Sequence, residues 1–232
     1  MKKIGFIGSY DKTDMIIYIA KILVATGKRV LVIDSTINQK AKYVVPVIRP
    51  STSYITEFEN IDVAVGFDSF DEIKEYLGMS IQEELKYDIV LIDVDNCDSI
   101  ENFGLLEAES NYFVTSFDAF SLKKGLEILS GLKQVIALTK VLYSKQASKE
   151  DDDYLNFLSL GYKIQWQEER IYFPFEVGDQ TVIAENQKVS KIKFRGLSEQ
   201  YKEALIYMSE RIAGDTNYSY VKRIFKQLEK GV

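Results

Sequence analysis

Three short stretches put residues capable of phosphate and metal chemistry at the ends of apolar runs. Lys12 and Thr13 follow the turn Gly8-Ser9-Tyr10-Asp11 and open a helical pattern, Asp34 ends the run Val30-Leu31-Val32-Ile33, and Asp93 ends Ile89-Val90-Leu91-Ile92. A lysine at the start of a helix can neutralise phosphate, and the backbone N–H groups beside it point at the same anion. A hydroxyl on the next residue and a carboxylate on a neighbouring strand can then complete a Mg²⁺ shell. The candidate nucleotide site is therefore Gly8, Ser9, Tyr10, Asp11, Lys12 and Thr13, and the candidate metal ligands are Thr13, Asp34 and Asp93. Taken alone, Lys12-Thr13 reads as a surface lysine beside a threonine cap, and an apolar strand ending in Asp is common. The three pieces in this order are more specific than any one of them.

Composition removes several other chemistries. The chain has no histidine, which excludes imidazole bases, Ser-His-Asp triads and the commonest zinc ligand. Its single cysteine, Cys97, cannot form an intramolecular disulfide and fits a reducing cytoplasm. A net charge of −6 argues against a broad nucleic-acid surface. The apolar start at Ile4 breaks at Ser9-Tyr10-Asp11-Lys12, too early for a signal peptide, and no apolar stretch is long enough to span a bilayer.

The elements that must hold these residues alternate between apolar strands and amphipathic helices, the pattern of a mostly parallel sheet covered on both faces. Strands are expected at 3–7, 30–34, 61–67, 88–93, 112–116, 135–141 and 171–176. Helices are expected at 13–26, within 70–85, at 121–132, after the acidic run Glu150-Asp151-Asp152-Asp153, and at 197–213. Residues 35–60 carry no clear period; Val44–Ile48 reads as an edge strand because it contains Pro46. The expected fold class is α/β, three layers, with residues 1–213 as one domain and 214–232 as a linker and a basic amphipathic helix.

Several segments carry a family likeness. Gly27-Lys28-Arg29-Val30-Leu31-Val32-Ile33-Asp34, Tyr87-Asp88-Ile89-Val90-Leu91-Ile92-Asp93, the strand and loop Tyr112–Leu122, and Tyr172-Phe173-Pro174-Phe175 follow in order after the Lys12-Thr13 turn. From Lys3 onward the chain resembles the MinD/ParA family of deviant Walker-A ATPases. The resemblance implies a P-loop fold, ATP and Mg²⁺ as cofactors, and a nucleotide-sandwich homodimer. It also exposes departures. Aligned on Lys12, the family's signature lysine falls on Ile7, two loop glycines fall on Ser9 and Asp11, and the second acidic residue associated with hydrolysis falls on Thr36. Only Gly8 survives of the loop glycines, and Asp11 sets a carboxylate where phosphate would approach. The degraded loop is similar to that of the TadZ/CpaE-like branch linked to tight-adherence pilus assembly.

The C-terminal segment Tyr218–Lys230 spaces Val221, Ile224, Phe225 and Leu228 on one helical face and carries Lys222, Arg223, Lys226 and Lys230 against Glu229. Val221, Lys222, Arg223, Ile224, Phe225 and Leu228 are thus candidate membrane-surface residues, and the stretch resembles the membrane-targeting helix of MinD. The alternative is a last helix packed on the domain or on a partner. The expectation from sequence is a cytoplasmic protein, peripheral on the inner face of the membrane. It would organise a pilus- or secretion-type machine through protein partners, with weak or absent ATP hydrolysis. An active partition ATPase and a nucleotide-independent scaffold are the alternatives.

Overall fold

The residue types of the central strands dictate a sheet buried on both sides. In the computed structural model, which describes residues 1–47, 52–144, 149–174, 176–214 and 216–231, β2 (Val30–Ser35) and β5 (Ile89–Val94) are buried at every position. β1 (Lys2–Ile7) lies between β5 and β6 (Ser110–Ser116), paired parallel to both. With β3 (Tyr54–Phe58), β4 (Ile61–Val65), β7 (Ile136–Tyr143) and β8 (Ile164–Phe173), they form one eight-stranded sheet in the order β3-β4-β2-β5-β1-β6-β7-β8. Every pairing is parallel except β3 with β4. Side chains alternate across it, so Val30, Val32, Ile89 and Leu91 enter one core while Leu31, Ile33, Val90 and Ile92 enter the other.

Helices close both faces. The first core is covered by α1 (Thr13–Ala25), α8 (Glu199–Ala213) and α9 (Tyr218–Lys230), the second by α3 (Phe70–Tyr76), α4 (Cys97–Asn102), α5 (Ala119–Leu129) and α6 (Lys149–Leu158). Helix α1 is apolar almost all round, with Met15, Ile16, Ile17, Ile19, Ala20, Ile22 and Leu23 buried, because it has the sheet below it and α8 and α9 above. A short α2 (Ala41–Val44) follows β2, and α7 (Val177–Lys188) follows β8.

Three local expectations change. Val44–Ile48 is not a strand where it is described: Val44 ends α2, 45–47 are irregular, and Ile48 lies outside the described residues. The antiparallel edge is formed by Tyr54–Phe58 instead, turned back on β4 at Glu59-Asn60, both with positive φ. The last strand starts at Ile164, seven residues earlier than the expected 171, and Phe175 of the late motif lies outside the described residues. Its alternation is hidden in Gln165-Trp166-Gln167-Glu168-Glu169-Arg170, because an edge strand needs few apolar residues. Among the described residues no helix is long and apolar enough to cross a membrane.

Candidate functional site

Strand parity aims the two aspartates. Asp34 and Asp93 are register partners on β2 and β5, and each lies an even number of residues from the strand positions that enter the α1 core. Both carboxylates therefore turn towards the start of α1, where the chain leaving β1 delivers Lys12 and Thr13. Gly8 to Thr13 and Asp93 line a cleft of about 420 Å³ together with Thr36, Asn38, Lys40, Tyr43 and Asp95.

Lys12 lines this cleft, but its ammonium is turned away from it. Its Nζ lies 2.7 Å from Asp93 Oδ1 and donates to the Gly8 carbonyl at 2.8 Å, and its side chain is 3 % exposed. Thr13 Oγ1 donates to the other oxygen, Asp93 Oδ2, at 3.4 Å. Burial pushes the Asp93 carboxyl up to about 6; the Lys12 ammonium pulls against that rise and the Asp34 carboxylate adds to it. The groups expected to serve phosphate and metal thus serve each other.

The loop has a shape that side chains tolerate. None of Ser9, Tyr10, Asp11 or Lys12 has a positive φ, so the lost glycines are not needed for this backbone. Gly8, at φ 142°, remains for packing: a Cβ there would sit 2.3 Å from the Val114 carbonyl oxygen. Ser9 Oγ donates to the Ser121 carbonyl, and the Tyr10 ring lies 4.6 Å from that of Tyr143, so the loop leans on its neighbours. Asp11 turns back on the helix, with Oδ1 accepting the Thr13 N–H at 3.2 Å and Oδ2 lying 2.5 Å from Lys40 Nζ. Ile7 is fully buried at the end of β1, which accounts for an apolar residue at that position.

Asp34, expected as a metal ligand, has other partners. Oδ1 accepts from the Thr36 N–H at 3.1 Å and the Thr36 hydroxyl at 2.6 Å, and Oδ2 accepts the Ala41 N–H at 2.8 Å. It fixes the β2–α2 loop, and both oxygens are engaged. Asp95 does similar work, accepting the Ile37 N–H at 2.9 Å. Lys40 is not among the candidate site residues read from sequence. Its only signal there was its place in the unpatterned stretch after Asp34.

A Mg-nucleotide does not fit this arrangement as it stands. The loop lysine is paired and buried, a carboxylate occupies the start of α1, and Asp34 is committed to backbone. Among the described residues no group of three Cys, Asp or Glu side chains is placed to hold a metal ion.

The tail also differs from its membrane reading. Val221 is 0 % and Phe225 2 % exposed, with the Phe225 ring against Phe194 at 4.9 Å, and Leu228 packs at the edge of the same core. The apolar stripe that suggested a lipid-facing surface is buried on α1 and α8, because those helices otherwise expose the apolar side of α1. Lys222 pairs with Glu203 at 2.6 Å, Ile224 is half-buried, and Arg223 is exposed beside the Tyr220 ring.

No protein-family model matches the sequence, and no curated protein matches it. Solved structures do match in shape. A chain of the MinC:MinD cell division protein complex of Aquifex aeolicus is 14% identical with a TM-score of 0.61, covering 94% of this chain and 98% of that one. A McdA–ATP complex from Cyanothece is 13% identical with a TM-score of 0.56, covering 94% and 98%. A ParA family ATPase from Chlorobium tepidum is 13% identical with a TM-score of 0.52, covering 98% and 97%. At these identities the likeness establishes the fold, that of the MinD/ParA P-loop ATPases.

Proposed function

We propose that the protein is a MinD/ParA-fold organiser of a membrane-associated assembly, of pilus or secretion type, that works through protein contacts with weak or absent ATP hydrolysis. One observation carries the weak or absent hydrolysis: the loop lysine, Lys12, is buried in an ion pair with Asp93 and a bond to its own loop carbonyl. Phosphate would have to break both contacts to engage it, and would meet the Asp11 carboxylate in doing so. Membrane contact through Val221, Lys222, Arg223, Ile224, Phe225 and Leu228 would require α9 to lift from α1 and α8. Docked, the helix offers lipid the exposed cations Arg223, Lys226 and Lys230 and keeps its apolar stripe covered.

Calorimetric titration of the wild type and Lys12→Ala with Mg-ATP tests the nucleotide part. The expected result is no binding tighter than about 1 mM in either protein. Tight, Lys12-dependent binding with turnover would instead favour the active partition ATPase. For the membrane part, sedimentation with anionic phospholipid vesicles should pellet the wild type and leave the Arg223→Glu/Lys226→Glu/Lys230→Glu variant in solution. Equal pelleting would remove the tail from the account and leave the nucleotide-independent scaffold.

A further inference from the structure

Lys40 and Asp11 meet at the cleft, and neither side chain belongs to the two cores. Lys40 Nζ sits 2.5 Å from Asp11 Oδ2 and 2.6 Å from Asp14 Oδ2, while Gln187 of α7 donates to Asp14 Oδ1 at 2.7 Å. The β2–α2 loop is therefore tied on one side to the strand ends, through Asp34 and Asp95, and on the other to the loop and first turn of α1. Burial works against the Lys40 charge, and Asp14 and Asp11 outweigh it, so its ammonium is held above the ordinary lysine range.

We propose that Asp11 and Lys40 form an autoinhibitory latch: the Asp11 carboxylate stands in for an external anion at the start of α1, Lys40 draws the β2–α2 loop down onto it, and a phosphate-bearing ligand enters only by displacing this pair. The inference rests on the reading that the wild-type loop does not hold Mg-ATP tightly, and it gives that weakness a removable cause. Three observations support it. Asp11 takes the Thr13 N–H and a lysine together, the two kinds of donor a phosphate oxygen would take. The cleft gathers Asp11, Asp93 and Asp95, with Asp14 at its edge, against Lys12 and Lys40, so deleting one carboxylate lowers the barrier to an incoming anion. Gln39, immediately before Lys40, is at φ 48°, an uncommon conformation for a residue with a side chain, held beside the contacts at Lys40. The pair is also reachable: Asp11 is 55% and Lys40 32% exposed, so exchange with solvent or ligand needs no opening of the core.

Asp11→Gly and Asp11→Asn, titrated calorimetrically with Mg-ATP and with magnesium pyrophosphate, test the latch. Both variants should bind at least about tenfold tighter than the wild type, and adding Lys12→Ala should erase the gain. Amide exchange over residues 36–41 should be faster in Asp11→Asn and Lys40→Ala. Affinities unchanged in variants that melt as cooperatively as the wild type would overturn the proposal. So would a gain confined to Asp11→Gly, which would assign the defect to backbone room, or an unchanged exchange pattern. Tight binding by the wild type itself is a separate outcome: it would overturn the reading on which the latch rests.

Discussion

Two lysine–aspartate pairs are buried in this molecule to almost the same degree, and their surroundings differ. Lys12–Asp93 spans 2.7 Å with both side chains 3% exposed; Lys140–Asp152 spans 2.6 Å at 3% and 4%. Around Lys140 every charge has an answer. Its Nζ donates also to Asn156 at 2.6 Å and stands 5.0 Å over the Trp166 ring, while Arg170 reaches the second oxygen of Asp152 at 2.7 Å. Around Lys12 there is a surplus of carboxylate, since Asp34 and Asp11 both raise the Asp93 carboxyl. The first cluster is a closed pin that fastens α6 to β7 and β8. The second keeps an unanswered excess of negative charge. The length of an ion pair does not separate the two roles; the neighbours do.

The largest expected effect lies at the closed pin. Lys140→Met leaves Asp152 buried with only the half-exposed Arg170 as a cation, and should cost about 3–5 kcal/mol of stability in a urea titration. A loss smaller than about 1 kcal/mol would mean the cluster is not a pin, and the contrast between the pairs would fail.

At the other pair the signature is pH dependence. Asp93 has a folded pKa of about 6, above the ordinary carboxylate value of 3.8. A group raised in this way contributes stability that is fully present below the unfolded value and is lost as pH rises through the folded one. The wild type should therefore lose roughly 2–3 kcal/mol from this source between pH 4 and pH 7. Lys12→Met/Asp93→Asn lacks the titration, so its stability relative to the wild type should climb by the same amount over that range and finish level or higher at pH 7. Parallel stability–pH curves would show that Lys12 fully compensates the burial of Asp93.

How much of this was legible in sequence follows from the physics of each signal. The central strands were plain because β2 and β5 are apolar on both faces, and a run such as Ile89-Val90-Leu91-Ile92 has few other readings. Edge strands β3 and β8 were misplaced because exposure frees their composition from any period. Lys12, Thr13 and Asp93 were correctly brought together by strand order, yet their pairing with one another depends on distances that spacing does not encode. Asp34 was read as a ligand because a strand-end carboxylate looks the same whether it meets a metal or the N–H groups of Thr36 and Ala41. Lys40 reads equally as an ordinary loop residue because a lysine in a loop gives no pattern. The α9 stripe was visible, but an amphipathic helix shows the same face to lipid as to a neighbouring helix, so the burial of Val221 and Phe225 against the domain could not be read from it.

The smallest expected effect is also the sharpest test of why the Lys140 pin is closed. Arg170 is 45% exposed and shares Asp152 with the buried lysine. If Lys140 carries the charge balance, Arg170→Ala should cost less than about 1 kcal/mol, because a half-exposed guanidinium is screened and its loss still leaves the carboxylate paired. Its unfolding midpoint should then fall close to that of the wild type and well above that of Lys140→Met. If the two variants lose equal stability, Asp152 needs both cations at once. The cluster is then a triad balanced by its exposed member, and the difference from Lys12–Asp93 lies in access to Arg170 and no longer in the burial of a satisfied pair.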